Sequence, residues 1–256
     1  MILATWNVNS IRSRLERLKA WLAKSRPDVL CLQELKCTDE AFPYDELANA
    51  GYHAAVSGQK TYNGVAILSR VQPREVRHAL DDDGRDGQAR FVSAKVGALA
   101  VVCVYVPNGQ AVGSEAWEYK LAWLARLRKH MGEHYGGEEP VALCGDTNVA
   151  VDDLDIDRPD EWVGSVISHP EVREGLKGLI DWGLVDVFRQ KHPEGKVYSF
   201  WDYRNLDFPR NNGLRIDHIL ATAPLAARCL SATIDRDERK GDKPSDHAPV
   251  VAVFQD

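Results

Sequence analysis

Short apolar runs rich in β-branched residues alternate along the chain with segments whose apolar residues recur at helical spacing. Val65 to Leu68 is one such run, and Leu99 to Val106 is a longer one that Pro107 ends. A strand buried on both faces needs a run of this kind, whereas a helix that covers a sheet needs apolar residues three and four positions apart. The alternation therefore predicts an α/β or α+β protein with buried sheets.

Start and stop residues mark three helices. Ser10 can cap a helix that stops before Pro27. Ser114 opens a second helix that closes near Gly136, and Pro170 fits the first turn of a third helix that ends before Gly183. The apolar runs predict strands at residues 2–4, 29–33, 65–68, 99–106, 141–144, 216–221 and 250–254.

The composition is that of a protein with a substantial core. Of the 256 residues, 44% are hydrophobic, so the chain can fold without disulfides, and residues 1–256 are expected to form a single domain. The five cysteines are odd in number and form no C-x-x-C pair, which indicates a reducing compartment. Because the sequence has neither a basic leader nor a long apolar segment, the protein is expected in the cytoplasm and not in a membrane.

The net charge of -6 argues mildly against a surface that binds nucleic acid by bulk charge. Contact with DNA would need a local basic rim. Acidic residues that hold a metal at the centre of a site would lower the net charge without weakening that rim. The charge therefore constrains how DNA is bound and does not exclude DNA as a substrate.

Polar residues of a few types recur at the ends of the apolar runs, where open α/β sheets usually place their sites. They stand in W-N-V-N from Trp6, Q-E-L-K from Gln33, Y-V-P-N-G from Tyr105 and G-D-T-N from Gly145, and S-D-H from Ser245 precedes the last strand. Because strand ends gather at the edge of a sheet, these segments predict one shared site.

Glu34 follows an apolar run, where an unpaired carboxylate is costly to bury. It therefore needs a cation or a solvent-filled cleft, and hard oxygen ligands suit Mg²⁺ or Mn²⁺. Glu34 is predicted to be the principal metal ligand, with the amide oxygens of Asn7 and Asn9 nearby and Asp246 bound directly or through water. The alternative for Glu34 is an ion pair with Lys36.

Asp146 and Asn148 are two positions apart, so on an extended segment both side chains point to the same side. The alternative is an Asx turn at the end of a strand. His247 can donate to the oxygens of a pentacovalent phosphorus, and a paired carboxylate would fix its tautomer.

Tyr105 ends the longest apolar run, where its phenol can hydrogen-bond a scissile phosphate. Asn108, in the turn that follows, can present its amide to the same phosphate. The alternative for Tyr105 is a buried aromatic at a strand end.

Nine segments occur in an order that resembles the exonuclease III family of AP endonucleases: W-N-V-N-S-I-R, L-Q-E-L-K, N-G-V-A-I-L-S, Y-V-P-N-G, G-D-T-N-V, W-G-L-V-D, S-F-W-D-Y, G-L-R-I-D-H and S-D-H-A-P. The resemblance spans nearly the whole chain. The wider superfamily shares the Asn, Glu, Asp-x-Asn, Asp and Asp-His core, whereas Y-V-P-N-G and G-L-R-I-D resemble its DNA-repair branch. The implied fold is DNase I-like, a four-layer α/β sandwich of two facing mixed β-sheets flanked by helices.

The resemblance also implies roles for these residues. Asp146 deprotonates or orients the attacking water, and Asn148 holds that water or the phosphate. Asp217 resembles the residue that pairs with the histidine of the S-D-H segment. The charge that builds on the phosphate is expected to be stabilised by the metal together with His247, Asn7 and Tyr105.

Phe200, Leu214 and Ile216 resemble positions that line a small apolar pocket for a base-less sugar, and such a pocket rejects a normal nucleotide by size. Plain core is the alternative for these three. DNA contact is expected from Asn108, Lys36, Arg204 and Arg215. Further candidates for a basic rim, for which solubilising charge is the alternative, are Lys60, Arg90, Arg210, Arg236, Arg239, Lys240 and Lys243. Gln110 stands where some relatives present a basic residue.

The implied reaction is Mg²⁺-dependent hydrolysis of the phosphodiester 5′ to an abasic site in double-stranded DNA, with Mn²⁺ as a substitute metal. The same site is expected to act as a 3′–5′ exonuclease and to remove 3′ lesions, and the protein is expected to be a monomer. Three alternatives are an exonuclease-dominated relative with weak abasic-site cutting, a phosphatase or phospholipid esterase of the same superfamily, and a catalytically silent binding module.

Overall fold

The computed structural model describes residues 1–80, 87–204 and 206–256, and the strands in these ranges form two six-stranded sheets. The strands of the first sheet lie in the order Cys229–Ile234 (β11), Val250–Phe254 (β12), Ile2–Asn7 (β1), Val29–Gln33 (β2), Val65–Ser69 (β4) and His53–Ser57 (β3). Those of the second lie in the order Arg74–Arg77 (β5), Phe91–Val96 (β6), Leu99–Tyr105 (β7), Val141–Asp146 (β8), Asp217–Thr222 (β10) and Leu184–Asp186 (β9). Both sheets are mixed, because β1 runs parallel to β2 and β7 runs parallel to β8.

The described α-helices are Ile11–Ser25 (α1), Tyr44–Asn49 (α2), Glu115–His134 (α3), Pro170–Asp181 (α4), Val187–Lys191 (α5), Asp207–Arg210 (α6) and Ala223–Ala226 (α7). Short 3₁₀ turns occur at Asp39–Ala41, Asp153–Asp155, Pro159–Trp162 and Arg236–Arg239. None of the helices in the described ranges combines the length and the apolar character that a membrane span requires.

The two sheets face each other across one buried core. Leu3 and Cys31 of the first sheet belong to the same buried cluster as Val101, Cys144 and Ile219 of the second. The intervening residues of the strands point outward, where α1 packs on the first sheet and α3 and α4 pack on the second. The result is the four-layer α/β sandwich that the resemblance implied.

The three predicted helices and their capping residues are confirmed. The Ser10 and Ser114 side chains accept hydrogen bonds from the backbone of the first turn of α1 and α3, and Pro170 begins α4. Arg26 adopts the left-handed conformation that ends α1 before Pro27, and Gly183 lies just beyond α4 with a φ of 128°.

Among the described strands, β3, β5, β6, β9 and β11 lie outside the predicted runs. Four of these five, β3, β5, β9 and β11, form the edges of the two sheets. An edge strand buries less of its surface, so it needs no continuous apolar run. The fifth, β6, contains Ser93 and Lys95, so it lacks the continuous apolar run on which the strand predictions depended.

The strand ends that carry the polar segments meet at one end of the sandwich. In the first sheet Asn7 aligns with Gln33 at the ends of β1 and β2. In the second sheet Asp146, at the end of β8, aligns with both Tyr105 and Asp217. The fold therefore brings residues from distant parts of the chain to one edge.

Candidate active site

A buried amide joins the two sheets at this edge. The Asn7 side chain is fully buried, and its Nδ2 donates to Glu34 Oε1 at 2.8 Å and to Asp146 Oδ2 at 2.9 Å. Glu34 follows β2 of the first sheet, whereas Asp146 ends β8 of the second. Because one amide nitrogen supplies both bonds, Asn7 holds the two carboxylates close together across the boundary between the sheets.

Glu34 lines a cleft of about 930 Å³ and has a left-handed backbone with a φ of 53°. Its Oε1 also accepts from the Tyr105 hydroxyl at 3.0 Å, and its Oε2 lies 2.9 Å from Lys36 Nζ. The ion pair that was the alternative to metal binding is therefore present. Burial raises the pKa of Glu34, but the hydrogen bond from Asn7 and the Lys36 charge outweigh burial and lower it. Glu34 is thus ionised at neutral pH.

His247 is buried between two carboxylates. Its Nδ1 lies 2.8 Å from Asp217 Oδ2, and its Nε2 lies 3.7 Å from Asp146 Oδ2. Ser199 Oγ donates to the same Asp217 oxygen at 2.6 Å. Burial lowers the pKa of His247, but the charges of Asp217 and Asp146 outweigh it and raise the pKa to about 10. His247 is therefore an imidazolium at neutral pH, and its hydrogen bond to Asp217 fixes the orientation of the ring.

Asp146 is fully enclosed by these groups. Burial raises its pKa to about 7, and the neighbouring His247 charge only partly offsets this effect. A carboxylate with a pKa near neutral can exchange a proton with water at physiological pH. Among the carboxyl groups of the site, Asp146 therefore has a pKa that suits a general base at neutral pH.

Asn148 reaches the site through a turn. Its φ is 50°, and its backbone N–H donates to Asp146 Oδ1 at 2.9 Å, which is an Asx turn. The predicted extended geometry is therefore wrong here, although both side chains still line the cleft. Asn148 Nδ2 donates to the Val106 carbonyl at 2.9 Å, and Asn108 Nδ2 donates to Asn148 Oδ1 at 3.4 Å. These two bonds orient the Asn148 amide.

One group of side chains in the described ranges is close enough to bind a single cation. Ligand atoms of Glu34, Asp146 and His247 all lie within 4.8 Å of one another. Of the acidic residues predicted to bind the metal, Glu34 belongs to this group and Asp246 does not. Asn9 Nδ2 donates to Asp246 Oδ1 at 3.0 Å.

The chemistry of these donors fits a hard cation bound by oxygen. Glu34, Asp146 and Asp246 all line the cleft, and Mg²⁺ and Mn²⁺ prefer carboxylate oxygens. His247 is engaged by Asp217 and, as an imidazolium, has no lone pair for a metal. The Lys36 ammonium contacts Glu34 and also donates to Asn9 Oδ1 at 2.5 Å, so the residues predicted to bind a cation already attract positive charge. The site thus has the carboxylate oxygens that could hold a metal ion.

An apolar part of the cleft wall adjoins His247. The Phe200 ring lies 4.9 Å from the His247 ring, and Phe200 forms a β-bridge with Leu214. Leu214 and Ile216 belong to one small buried cluster, and all three predicted pocket residues line the cleft. The structure thus brings these three side chains together beside the imidazole. Their spacing in the sequence could not show whether they line a pocket or belong to the core.

The rim of the cleft carries some of the predicted basic residues. The Arg204 side chain is 83% exposed, lines the cleft and pairs with Asp202 at 2.7 Å. Asn108 is exposed and lines the same cleft, while Arg90 is half-buried with its guanidinium 4.7 Å from the Tyr105 ring centre. The remaining exposed candidates are Lys60, Arg210, Arg236, Lys240 and Lys243.

Two of the predicted DNA contacts are wrong because their side chains are buried. Arg215 Nε donates to Asp155 Oδ1 at 2.6 Å, and its Nη1 lies 2.8 Å from Asp186 Oδ2. Arg239 donates to the carbonyls of Ser245 at 2.5 Å and Trp201 at 3.1 Å. Both guanidinium groups are therefore occupied by internal acceptors and cannot reach a DNA backbone.

Several residues that support the site were not predicted. Ser199 holds Asp217, and Ser245 Oγ donates to the Asn7 carbonyl at 2.7 Å. Arg14 donates to the Asn9 carbonyl at 2.6 Å, which fixes the turn that carries Asn9. Ser199 and Ser245 begin the S-F-W-D-Y and S-D-H-A-P segments. The two segments were recognised in the sequence, but the hydrogen bonds of their serine hydroxyls were not predicted.

Comparison with known proteins agrees with this geometry. Residues 4–247 match the Endonuclease/Exonuclease/phosphatase family. Exodeoxyribonuclease III of Haemophilus influenzae is 38% identical over 263 aligned residues, which cover 98% of each chain.

Solved structures give the same result. An AP endonuclease from Archaeoglobus fulgidus has a TM-score of 0.98 at 41% identity, with 100% of both chains covered. A 3′ phosphatase from Neisseria, solved with a product DNA hairpin, has a TM-score of 0.95 at 41% identity and covers 100% of this chain and 99% of that one. The chain therefore belongs to the endonuclease/exonuclease/phosphatase family, in which it resembles exodeoxyribonuclease III and the AP endonucleases over its whole length.

Proposed function

We propose that the protein is a DNA-repair nuclease that hydrolyses the phosphodiester 5′ to an abasic site and also removes nucleotides and blocking groups from 3′ ends. The observation that carries this proposal is the position of the Asp217–His247 pair, which lies between Asp146 and an apolar pocket. A phosphate bound at His247 would place an adjoining sugar in that pocket. The names of the relatives, an AP endonuclease and a 3′ phosphatase with product DNA, support the same substrates.

Asp146 and Asn148 would direct the attacking water in this reaction. The pKa of Asp146, near 7, suits a base that accepts a proton from water at neutral pH. Asn148 is held by Val106 and Asn108, so its amide can orient the water or a phosphate oxygen without reorganising. The leaving 3′ oxygen of the preceding nucleotide would depart on the opposite side of phosphorus.

Donors next to Asp146 would stabilise the charge on the phosphate. The His247 imidazolium is one such donor. Burial, followed by the charges of Glu34 and Asp146, raises the pKa of Tyr105 well above its usual value, so its phenol remains protonated and can donate. Asn7 holds Glu34 and Asp146 in fixed positions relative to each other through its hydrogen bonds to both carboxylates.

We propose Mg²⁺ as the cofactor, with Mn²⁺ as a substitute. Glu34 would be its principal ligand, with Asn9 and Asp246 held nearby by their mutual hydrogen bond. The ion would neutralise negative charge on the phosphate.

DNA would be bound along the rim of the cleft. Asn108 and Lys36 lie on the Tyr105 and Glu34 side, while Arg204 stands at the exposed edge near the pocket. Phe200, Leu214 and Ile216 would accept a base-less sugar and exclude a normal nucleotide by size.

A comparison of three labelled duplexes tests the proposed function. They carry an abasic analogue, a 3′-phosphate and an undamaged recessed end, and initial rates are measured in Mg²⁺ with an EDTA control. We expect cleavage of all three, abolished by EDTA. Cleavage confined to 3′ ends would favour the exonuclease-dominated alternative. Hydrolysis of inositol phosphates or sphingomyelin without any cleavage of DNA would overturn the proposal.

We further propose that residues 1–256 act as one domain, as a monomer and in the cytoplasm. The site is built from both sheets, so neither half would be complete alone. All five cysteines are free and buried, as expected in a reducing compartment. Size-exclusion chromatography with light scattering tests the oligomeric state.

A further inference from the structure

Lys120 is a buried cation behind the active site. It lies on α3, its side chain is fully buried, and sequence patterning did not single it out. Its Nζ donates to three backbone carbonyls, those of Asn108 at 3.1 Å, Asn148 at 2.7 Å and Val166 at 2.6 Å. A lysine ammonium has three N–H donors, so its hydrogen-bonding capacity is fully used.

The three carbonyls belong to three loop segments, two of which, those of Asn148 and Val166, are the ends of the connection between β8 and α4. Asn108 lies between β7 and α3, Asn148 follows β8, and Val166 precedes α4. The side chains of all three residues line the cleft that contains the candidate active site. One ammonium group therefore connects these three segments of the cleft wall to the same turn of one helix.

The surroundings of Lys120 are built around this arrangement. Gly109 has a φ of 91°, and a Cβ at this position would come within 3.0 Å of Lys120 Cδ, so glycine allows the loop to cross the lysine stem closely. Burial lowers the pKa of Lys120 to about 7, and the charge of Asp146 offsets part of this effect. A buried ammonium bound by carbonyls instead of carboxylates is costly, and this cost is consistent with a specific role.

We propose that Lys120 is a positioning residue, which fastens the loops of Asn108, Asn148 and Val166 to α3 and so holds Asn148 and Asn108 in place for the reaction. The residue does not touch the substrate. Its effect on catalysis rests on the proposed function, because that function assigns Asn148 to the attacking water. Its effect on the loops does not depend on any substrate.

Lys120→Met is the sharpest variant, because methionine keeps most of the length and removes every donor. Lys129→Met is the matched control, since Lys129 is on the same helix with a side chain that is 71% exposed. Hydrogen exchange of the free protein is measured first. We expect the amides of residues 106–110, 147–151 and 163–168 to exchange roughly ten-fold faster in Lys120→Met only, as these loops lose their common partner.

Kinetics on the abasic duplex are measured second, at a temperature where both variants are fully folded. We expect Lys120→Met to lower kcat roughly 30-fold with KM within about three-fold, because a small misplacement of a positioning group acts on the chemical step. In an Asn148→Ala background, Lys120→Met should lower kcat by less than about three-fold. Lys120 acts by positioning Asn148, and that side chain is already removed in this background.

The outcomes separate the two proposals. Uniformly faster exchange over the whole chain, unchanged exchange in the three loops, or additive losses in the Asn148→Ala background would overturn the role of Lys120. If the wild-type protein cleaved none of the duplexes while the three loops still loosened together, the proposed function would fail and the fastening of the loops by Lys120 would stand.

Discussion

Two buried charge clusters lie close together in this protein and differ in their balance. The ion-pair network consists of Arg215 and Arg189 with Asp155 and Asp186, two cations with two acids. The site cluster contains two cations and four acids: Lys36 and His247 with Glu34, Asp146, Asp217 and Asp246. Only Ile216 separates Arg215 of the first cluster from Asp217 of the second.

The difference in balance separates a structural cluster from a functional one. In the ion-pair network each carboxylate has a guanidinium partner, so the network is complete without a ligand. In the site cluster the acids outnumber the cations, and burial raises the pKa of Asp146 by more than the neighbouring His247 charge lowers it. Substitutions in the network should therefore affect stability, whereas substitutions in the site cluster should affect activity.

The largest effect is expected from Asp146→Asn. Removal of the base should lower kcat on the abasic duplex by about 10³-fold, within the range for general acid–base groups. The free energy of unfolding should not fall, because burial disfavours the charged form of Asp146, as its raised pKa indicates, and asparagine removes that charge. Initial rates and urea unfolding measure the two quantities. Activity near that of the wild type would remove Asp146 from the mechanism.

Arg215→Met should instead lower the free energy of unfolding by about 3–5 kcal/mol, because it leaves Asp155 and Asp186 buried without their shared partner. Activity per folded molecule should stay within a few-fold of the wild type. Urea unfolding gives the stability, and Arg215→Met combined with Asp186→Asn should recover part of the loss. A stable variant that no longer cleaves DNA would mean that the two clusters are not separable.

The pH dependence of stability should distinguish His247 from other histidines. Its pKa of about 10 in the folded protein lies above its ordinary value near 6.5, so the native state keeps a proton that the unfolded state releases between these values. Its stabilising contribution is complete below about pH 6.5 and is lost as the pH rises through 10. Lys120, whose pKa burial lowers to about 7, acts in the opposite direction over this range.

The two contributions are separated by comparing variants. Relative to His247→Gln, the wild type should lose ~3–4 kcal/mol of unfolding free energy between pH 7 and pH 10. Urea unfolding at several pH values measures this difference, and substitution of the exposed His53 by Gln is the control. A difference that did not vary with pH would show that His247 is neutral in the folded protein.

The smallest effect is expected from Arg204→Ala at the exposed rim. Loss of one phosphate contact should raise KM two- to five-fold, leave kcat unchanged and reduce the salt dependence of binding by about one charge. Arg228→Ala, which is also exposed but outside the candidate rim, provides the control. An unchanged salt dependence would assign Arg204 to its surface pair with Asp202 alone.

Much of the fold and part of the site could be predicted from local patterns. Helix starts at Ser10, Ser114 and Pro170 were correct because capping depends on neighbouring residues. The four edge strands were missed because a strand with little burial carries little periodicity. The Asx turn at Asn148 was one of two local alternatives, and only the backbone conformation decides between them.

The order of the buried runs and the types of polar residue that end them can be inferred from local patterns, since side-chain period and chemistry are local properties. Which charges face the cleft and which are neutralised in the interior depends instead on the folded arrangement. Arg204 and Arg215 are arginines only 11 positions apart, yet Arg204 is exposed and Arg215 is buried. Arg215 is neutralised by Asp155, which lies 60 positions away in the sequence. Burial and charge balance depend on such distant partners, and no local pattern records them.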